Sequence, residues 1–344
     1  MTNSRQRMLD TFNYTNPDRI PVVYHPSRAG LYVHGQKLID LFNSYPPDNP
    51  IRFDTIPFPA SNAFEANGDY HEIIVDEWGT GWEYRIFGIA GHPKTYPFAS
   101  WKEGHDIYKF PEVPVINSTT FNDDKRTTLI NKEKYLIFNC WISIFERLHA
   151  LRPIDEMLMD LLIGEENALA FINRLVDYWM KVIDYNIAIG TDVFVFGDDW
   201  GSQSSTLTSP ELFREIFTPL YQKLFKKIID AGCLVFLHCC GHMGELLDDF
   251  IELGIRGLWP QIKLYEHDES FIKKCRDNKI AVYIHPDRQQ LIPLGTPQQI
   301  SDYIKQTAAK YKKLGGGGIF YVEIENDAPF ENVKALIESI HKYR

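Results

Sequence analysis

From about residue 130 onward, short β-rich apolar runs alternate with longer amphipathic stretches, and this rhythm constrains the fold more than any other feature of the chain. Six runs are clear: KYLIFNCW (134–141), TDVFVFGDDW (191–200), CLVFLHCC (233–240), IRGLWPQ (255–261), KIAVYIHP (279–286) and GIFYVEIEND (318–327). RIPVVYHP (19–26) adds another, and RFDTIPFP (52–59) is a weaker candidate whose prolines equally suit an irregular loop. Strands separated by helix-length segments are the order of repeated βα units around a parallel sheet. Eight runs in all predict an α/β fold, a single (β/α)8 TIM barrel, and residues 1–344 read as one such domain.

The segments between the runs carry helix punctuation. SPELFREIFTPLYQKLFKKIIDAG offers Ser209 as N-cap, Pro210 at the first helical position, Glu211 in the first turn and Gly232 beyond the end. TPQQISDYIKQTAAKYKKLGGGG repeats that design from Thr296 and Pro297. Residues 70–130 break the rhythm: HEIIVDEWGTGWEYRIFG predicts a β-hairpin turning at Gly79 to Gly81, and YKFPEVPVINSTTFNDDKRTT predicts a loop, so this region is expected as an insertion on the barrel.

Composition excludes several classes of function. A net charge of -10 with no long Lys/Arg block argues against nucleic acid. No apolar run approaches the length of a bilayer span, and the opening residues lack a leader pattern, so a cytoplasmic protein without membrane association is expected. Five cysteines, two of them adjacent, make a poor disulfide framework and imply reduced thiols.

Nearly every run ends in polar, titratable residues. The ends read His25-Pro26-Ser27-Arg28, Gly197-Asp198-Asp199-Trp200-Gly201-Ser202-Gln203, His238-Cys239-Cys240-Gly241-His242, Pro260-Gln261, His285-Pro286-Asp287-Arg288 and Glu323-Ile324-Glu325-Asn326-Asp327. In a βα barrel the strand ends where the βα loops converge carry the functional groups, so these predict an active site. Asp198 and Asp199 are candidate catalytic acid and base, or else helix caps and ion-pair partners. Tyr24, Trp78 and Trp200 suit an aromatic wall as well as ordinary packing, and His25, Arg28, Gln203 and His285 are candidates for contact with substrate. His242 is a further pocket candidate.

Taken together, GDDWGSQSSTLTSPELFREIFTPLYQKLFKKIIDAG, HCCG, IELGIRGLWPQ, LGTPQQI and PFENVKALIESI resemble the uroporphyrinogen decarboxylase superfamily, in particular its methyltransferase-like branch. RQRMLDTFNYTNPDRIPV and DEWGTGWEY extend the resemblance over nearly the whole chain. It implies zinc held by a His-x-Cys pair, here His238 and Cys240, and a third ligand from the last strand. That position is a Cys in the methyltransferases; here the strand reads YVEIENDAP, which makes Glu323 the expected donor, with Glu325 and Asp327 as competitors. The resemblance further implies a small methylated substrate, a corrinoid (methylcobalamin) carried by a partner protein, and a homodimer. Against the metal reading stands the ordinary behaviour of Cys as a small buried hydrophobe.

Two other functions compete. The decarboxylases of the superfamily cradle substrate carboxylates with an Arg and a Gln-Ala-Gly-Arg segment; YHPSRAGLY keeps Arg28 without that cradle. A cofactor-free carboxy-lyase using Asp198 or Asp199 with Arg28 and Arg288 is therefore the alternative enzyme. A non-catalytic barrel that holds a ligand is the third reading.

Overall fold

The computed structural model describes residues 2–25 and 27–344; Pro26, quoted above at the first run end, lies outside them. Among the described residues ten strands form: β1 (Val22–His25), β2 (Glu72–Val75), β3 (Gly81–Tyr84), β4 (His92–Thr95), β5 (Phe138–Ile142), β6 (Val193–Gly197), β7 (Leu234–Cys239), β8 (Gly257–Pro260), β9 (Ala281–Ile284) and β10 (Gly318–Glu323). Seven of them make one parallel sheet in the order β1-β10-β9-β8-β7-β6-β5, with helices on its outer face. The other three, β2-β3-β4, are a small antiparallel sheet.

The barrel is one strand short of the expected eight. RFDTIPFP forms no strand, since Pro57 and Pro59 remove ladder donors. Just ahead of it, the chain runs beside β1 and substitutes for a neighbour. The Asp48 amide donates to Val22 O at 2.7 Å, and the Asn49 side-chain amide donates to Tyr24 O (2.9 Å) and accepts from Tyr24 N (3.1 Å). Across the seam between β1 and β5 lies the helix Ser4–Asn13. Its Arg5 bonds Tyr135 O and both oxygens of Asp192, while Met8 and Phe12 plug the barrel's lower end beside Val23, Phe138 and Phe236.

The expected hairpin is present as β2 and β3, with Gly79 in its turn at φ 82°, where a side chain would be strained; β4 is an addition. The expected loop over 108–128 is a loop only to its first half, because Thr119–Lys132 is a helix capped by Ser118, whose hydroxyl accepts from Phe121 N. The other predicted caps form: Ser209 accepts from Leu212 N, and Thr296 makes a reciprocal capping box with Gln299. No helix among the described residues is long and apolar enough to cross a membrane.

Side-chain alternation along the strands decides what reaches the barrel axis. Val23, Val193, Phe236, Ala281, Tyr283, Ile319 and Tyr321 pack inside the ring. Their neighbours Val22, Phe194, Val235, Leu237, Val282, Phe320 and Val322 pack outward against the helices. Continuing the inward parity past each strand brings His25, Asp199, His238, Cys240, His285 and Glu323 to the mouth.

Candidate active site

At the upper end of β6 and β7, three donor groups converge. His238 Nε2 stands 3.5 Å from Cys240 Sγ and 3.4 Å from Asp199 Oδ1, and one ligand atom of each residue lies within 4.8 Å of the others. The Asp199 carboxylate is held in place by the Cys240 main-chain N–H, which donates to Oδ1 at 2.6 Å. Donors about 2.0–2.3 Å from a shared tetrahedral metal are about 3.4–3.7 Å apart, so the spacings at His238 match such a site. Imidazole, thiolate and carboxylate are the donor types such a metal takes, and three donors leave a position open towards the adjoining cavity.

That cavity holds about 280 Å3 and is lined by His238, Cys240, Trp259, Gln261, His285, Arg288 and Glu323, among others. Burial lowers the pKa of His238, with the charge of Arg288 adding to the effect and Asp199 opposing it, so its imidazole is neutral and able to ligate. Burial and Arg288 also bring His285 down to about 3. Burial pushes the Cys240 thiol up to about 12, with Asp199 adding to the effect; a cation is what would turn it into a thiolate.

Alternation sorts the adjacent pairs of the sequence. Cys239 faces the helix layer, fully buried, and its sulfur accepts the Trp200 N–H at 3.3 Å. Asp198 likewise points outward. Its carboxylate accepts from Ile144 N (3.0 Å), Glu146 N (2.8 Å) and the Tyr221 hydroxyl (2.6 Å), closing the start of the helix Phe145–Leu151. Burial raises its pKa to about 7 even though those hydrogen bonds pull it down. Asp198 is therefore a buried structural acceptor, away from the cavity, where the sequence offered it as a catalytic group.

The aromatic wall is also corrected. Tyr24 faces outward, with its hydroxyl 2.9 Å from His341 Nε2. Trp78 packs on Trp179 and Tyr178 under the Arg147 guanidinium, and Trp200 stacks on Phe145 in the helix layer. The aromatic groups at the mouth are Trp259, whose ring centroid is 4.3 Å from that of His238, and Trp141, at 5.6 Å. Trp141 was missed because plain alternation along β5 would turn it outward. A β-bulge, with Cys140 at φ 64° and its N–H bonded to Asn139 Oδ1, shifts the register and swings the indole over Gly197.

The remaining candidates spread around the rim. Gln203 bonds Gln261 at 3.2 Å and lines the cavity, as does His285. Arg28 lies over the Phe87 ring, 4.8 Å from its centroid, and the His242 ring accepts from Gly244 N instead of facing the cavity. Glu323 lines the cavity but is not part of the donor trio; its Oε1 is 3.1 Å from His25 Nδ1. Asp199, just past the end of β6 beside β7, is the third member of the donor cluster, the place for which the sequence offered Glu323.

An incomplete parallel βα barrel with a nitrogen, sulfur and oxygen donor trio at its mouth is the class defined by this fold and site. The profile of the uroporphyrinogen decarboxylase (URO-D) family matches residues 150–343, more than half of the sequence, and the chain belongs to that family. It is 27% identical over 179 residues to a methylated-thiol–coenzyme M methyltransferase of Methanosarcina mazei, a match spanning 51% of this chain and 44% of that protein. The fold matches that of a methyltransferase from Methanosarcina mazei with a TM-score of 0.62 at 17% identity, over 100% of this chain and 99% of the other.

Proposed function

We propose that the chain is a zinc-dependent methyltransferase that moves a methyl group between a small methylated thiol compound and a corrinoid carried by a partner protein. The observation that carries the proposal is the convergence of Asp199, His238 and Cys240 beside the cavity. The named activity of the Methanosarcina mazei relative supports the thiol as the substrate class. Zinc bound by the trio would supply a Lewis acid that favours the deprotonated form of a thiol.

The protein's own groups prepare that chemistry. Neutral His238 and His285 leave the cavity wall without imidazolium cations that would repel a metal ion. Trp141 and Trp259 flank His238 and give an apolar surface for the methyl-bearing part of the substrate. Arg288, tied to Glu325 at 3.2 Å, lines the cavity with guanidinium N–H groups to spare for a polar tail.

The carboxy-lyase alternative keeps Asp199 beside the cavity and Arg288 on its wall but has less support, because Asp198 is buried outside it and Arg28, stacked on Phe87, does not line it, which leaves one guanidinium for substrate carboxylates. The test is metal content. Protein purified without added metal or chelator is expected to hold about one zinc per chain, lost in Cys240→Ser together with thiol methylation; a zinc-free, fully active wild type would overturn the proposal.

A further inference from the structure

Glu323 faces the same cavity as Cys240 and His238, yet its carboxylate is engaged by His25 and not by the donor trio. The two residues sit directly opposite each other in the β1–β10 ladder, at the ends of their strands. Glu323 is the inner member, with 18% of its side chain exposed, and His25 is the outer, with 54% exposed. The imidazole is stacked on Tyr321, ring centroids 6.1 Å apart at 29°, which steadies it over the carboxylate. The other charged groups around Glu323 are Arg288 and Glu325, which are bonded to each other; the half-buried imidazole of His285 nearby is neutral.

Thiol chemistry in this cavity has a proton to dispose of. When a thiol becomes a methyl acceptor, its S–H bond breaks, the electron pair stays on sulfur and the proton must leave the cavity. Cys240, His238 and Asp199 are committed to the metal in the reading above, which leaves Glu323 as the cavity-lining carboxylate joined to a solvent-exposed partner. From the ladder pairing, the cavity-facing carboxylate and its solvent-facing partner, we infer that Glu323 and His25 form the proton outlet. Glu323 accepts the proton released by the thiol, and the exposed imidazole of His25 passes it to water. This assignment rests on the zinc and thiol reading, and it gives Glu323 a task other than ligation.

The experiment is stopped-flow proton release, followed with a pH indicator in weak buffer, when 2-mercaptoethanol is mixed with the zinc-loaded chain. Glu323→Gln and His25→Ala are expected to slow release by about a hundredfold while zinc per chain and melting temperature stay at wild-type values. Free imidazole is expected to restore the rate of His25→Ala and not that of Glu323→Gln, a rescue that a merely structural role would not show. Unchanged rates in both variants would overturn the inference. Loss of zinc from Glu323→Gln would overturn it too, by making Glu323 a ligand, while leaving the zinc reading intact. A wild type that binds no zinc would bring down the reading and the inference together.

Discussion

The main-chain N–H of Cys240 donates to Asp199 at 2.6 Å, so one residue of the donor trio fixes the carboxylate of another before any metal arrives. This bond ties the ends of β6 and β7 together and presents two donors in fixed relation.

Asp199→Ala should therefore lower zinc affinity by at least about tenfold, since it removes a donor and frees the Cys240 amide. Titration with a competing chelator measures this. An unchanged affinity would remove Asp199 from the ligand set.

Cys239 and Cys240 are expected to behave oppositely on substitution. Cys239→Ala should keep its zinc and lose stability, because the buried Trp200 N–H loses its acceptor, at a cost of about 1–3 kcal/mol. Cys240→Ser should lose zinc with little change in the unfolding of the metal-free protein. Elemental analysis and chemical denaturation on the same samples separate the two effects.

Asp198 makes stability depend on pH. Its folded pKa, about 7, lies above the ordinary carboxyl value of 3.8, so between those limits the folded state holds more protons than the unfolded one. The contribution of this group to stability then declines as pH rises from about 4 to 7 and is flat above. Relative to Asp198→Asn, the wild type should have its greatest thermal advantage at about pH 4, less at pH 6 and least at pH 8. A constant difference between the two proteins would show that Asp198 does not titrate in this window.

Gly197 and Trp141 should act as one unit. A Cβ on Gly197 would fall 2.0 Å from the indole, so Gly197→Ala must displace Trp141. Both Gly197→Ala and Trp141→Ala are expected to raise KM for the methylated substrate by about tenfold, the scale of one lost aromatic contact. In a Trp141→Ala background, Gly197→Ala should add nothing further; additive effects would place the glycine's role elsewhere.

Much of this site was legible because polar residues cluster at the run ends, and that clustering located His238, Cys240, Asp199, His285, Gln203 and Glu323 at one rim. Cys240 was chosen over Cys239, but Asp198 and Asp199 were left as equal candidates, although counting in twos from Val193 selects Asp199. Trp141 could not be reached by that count, because the bulge at Cys140 reverses the parity and depends on a strained main chain that local composition does not announce. The missing eighth strand was signalled by Pro57 and Pro59, whereas its replacement by the Asn49 side chain is a tertiary event.

That replacement has an evolutionary side. The six contiguous ladders from β1 round to β5 set the height and facing of every group at the mouth, and none of them crosses the seam. Everything threaded between His25 and Phe138, the small β2-β3-β4 sheet included, enters through a gap closed by side chains. Lineages could lengthen, trim or exchange that segment and so re-dress the rim for a new substrate or partner, while the ligand set stays anchored where it was.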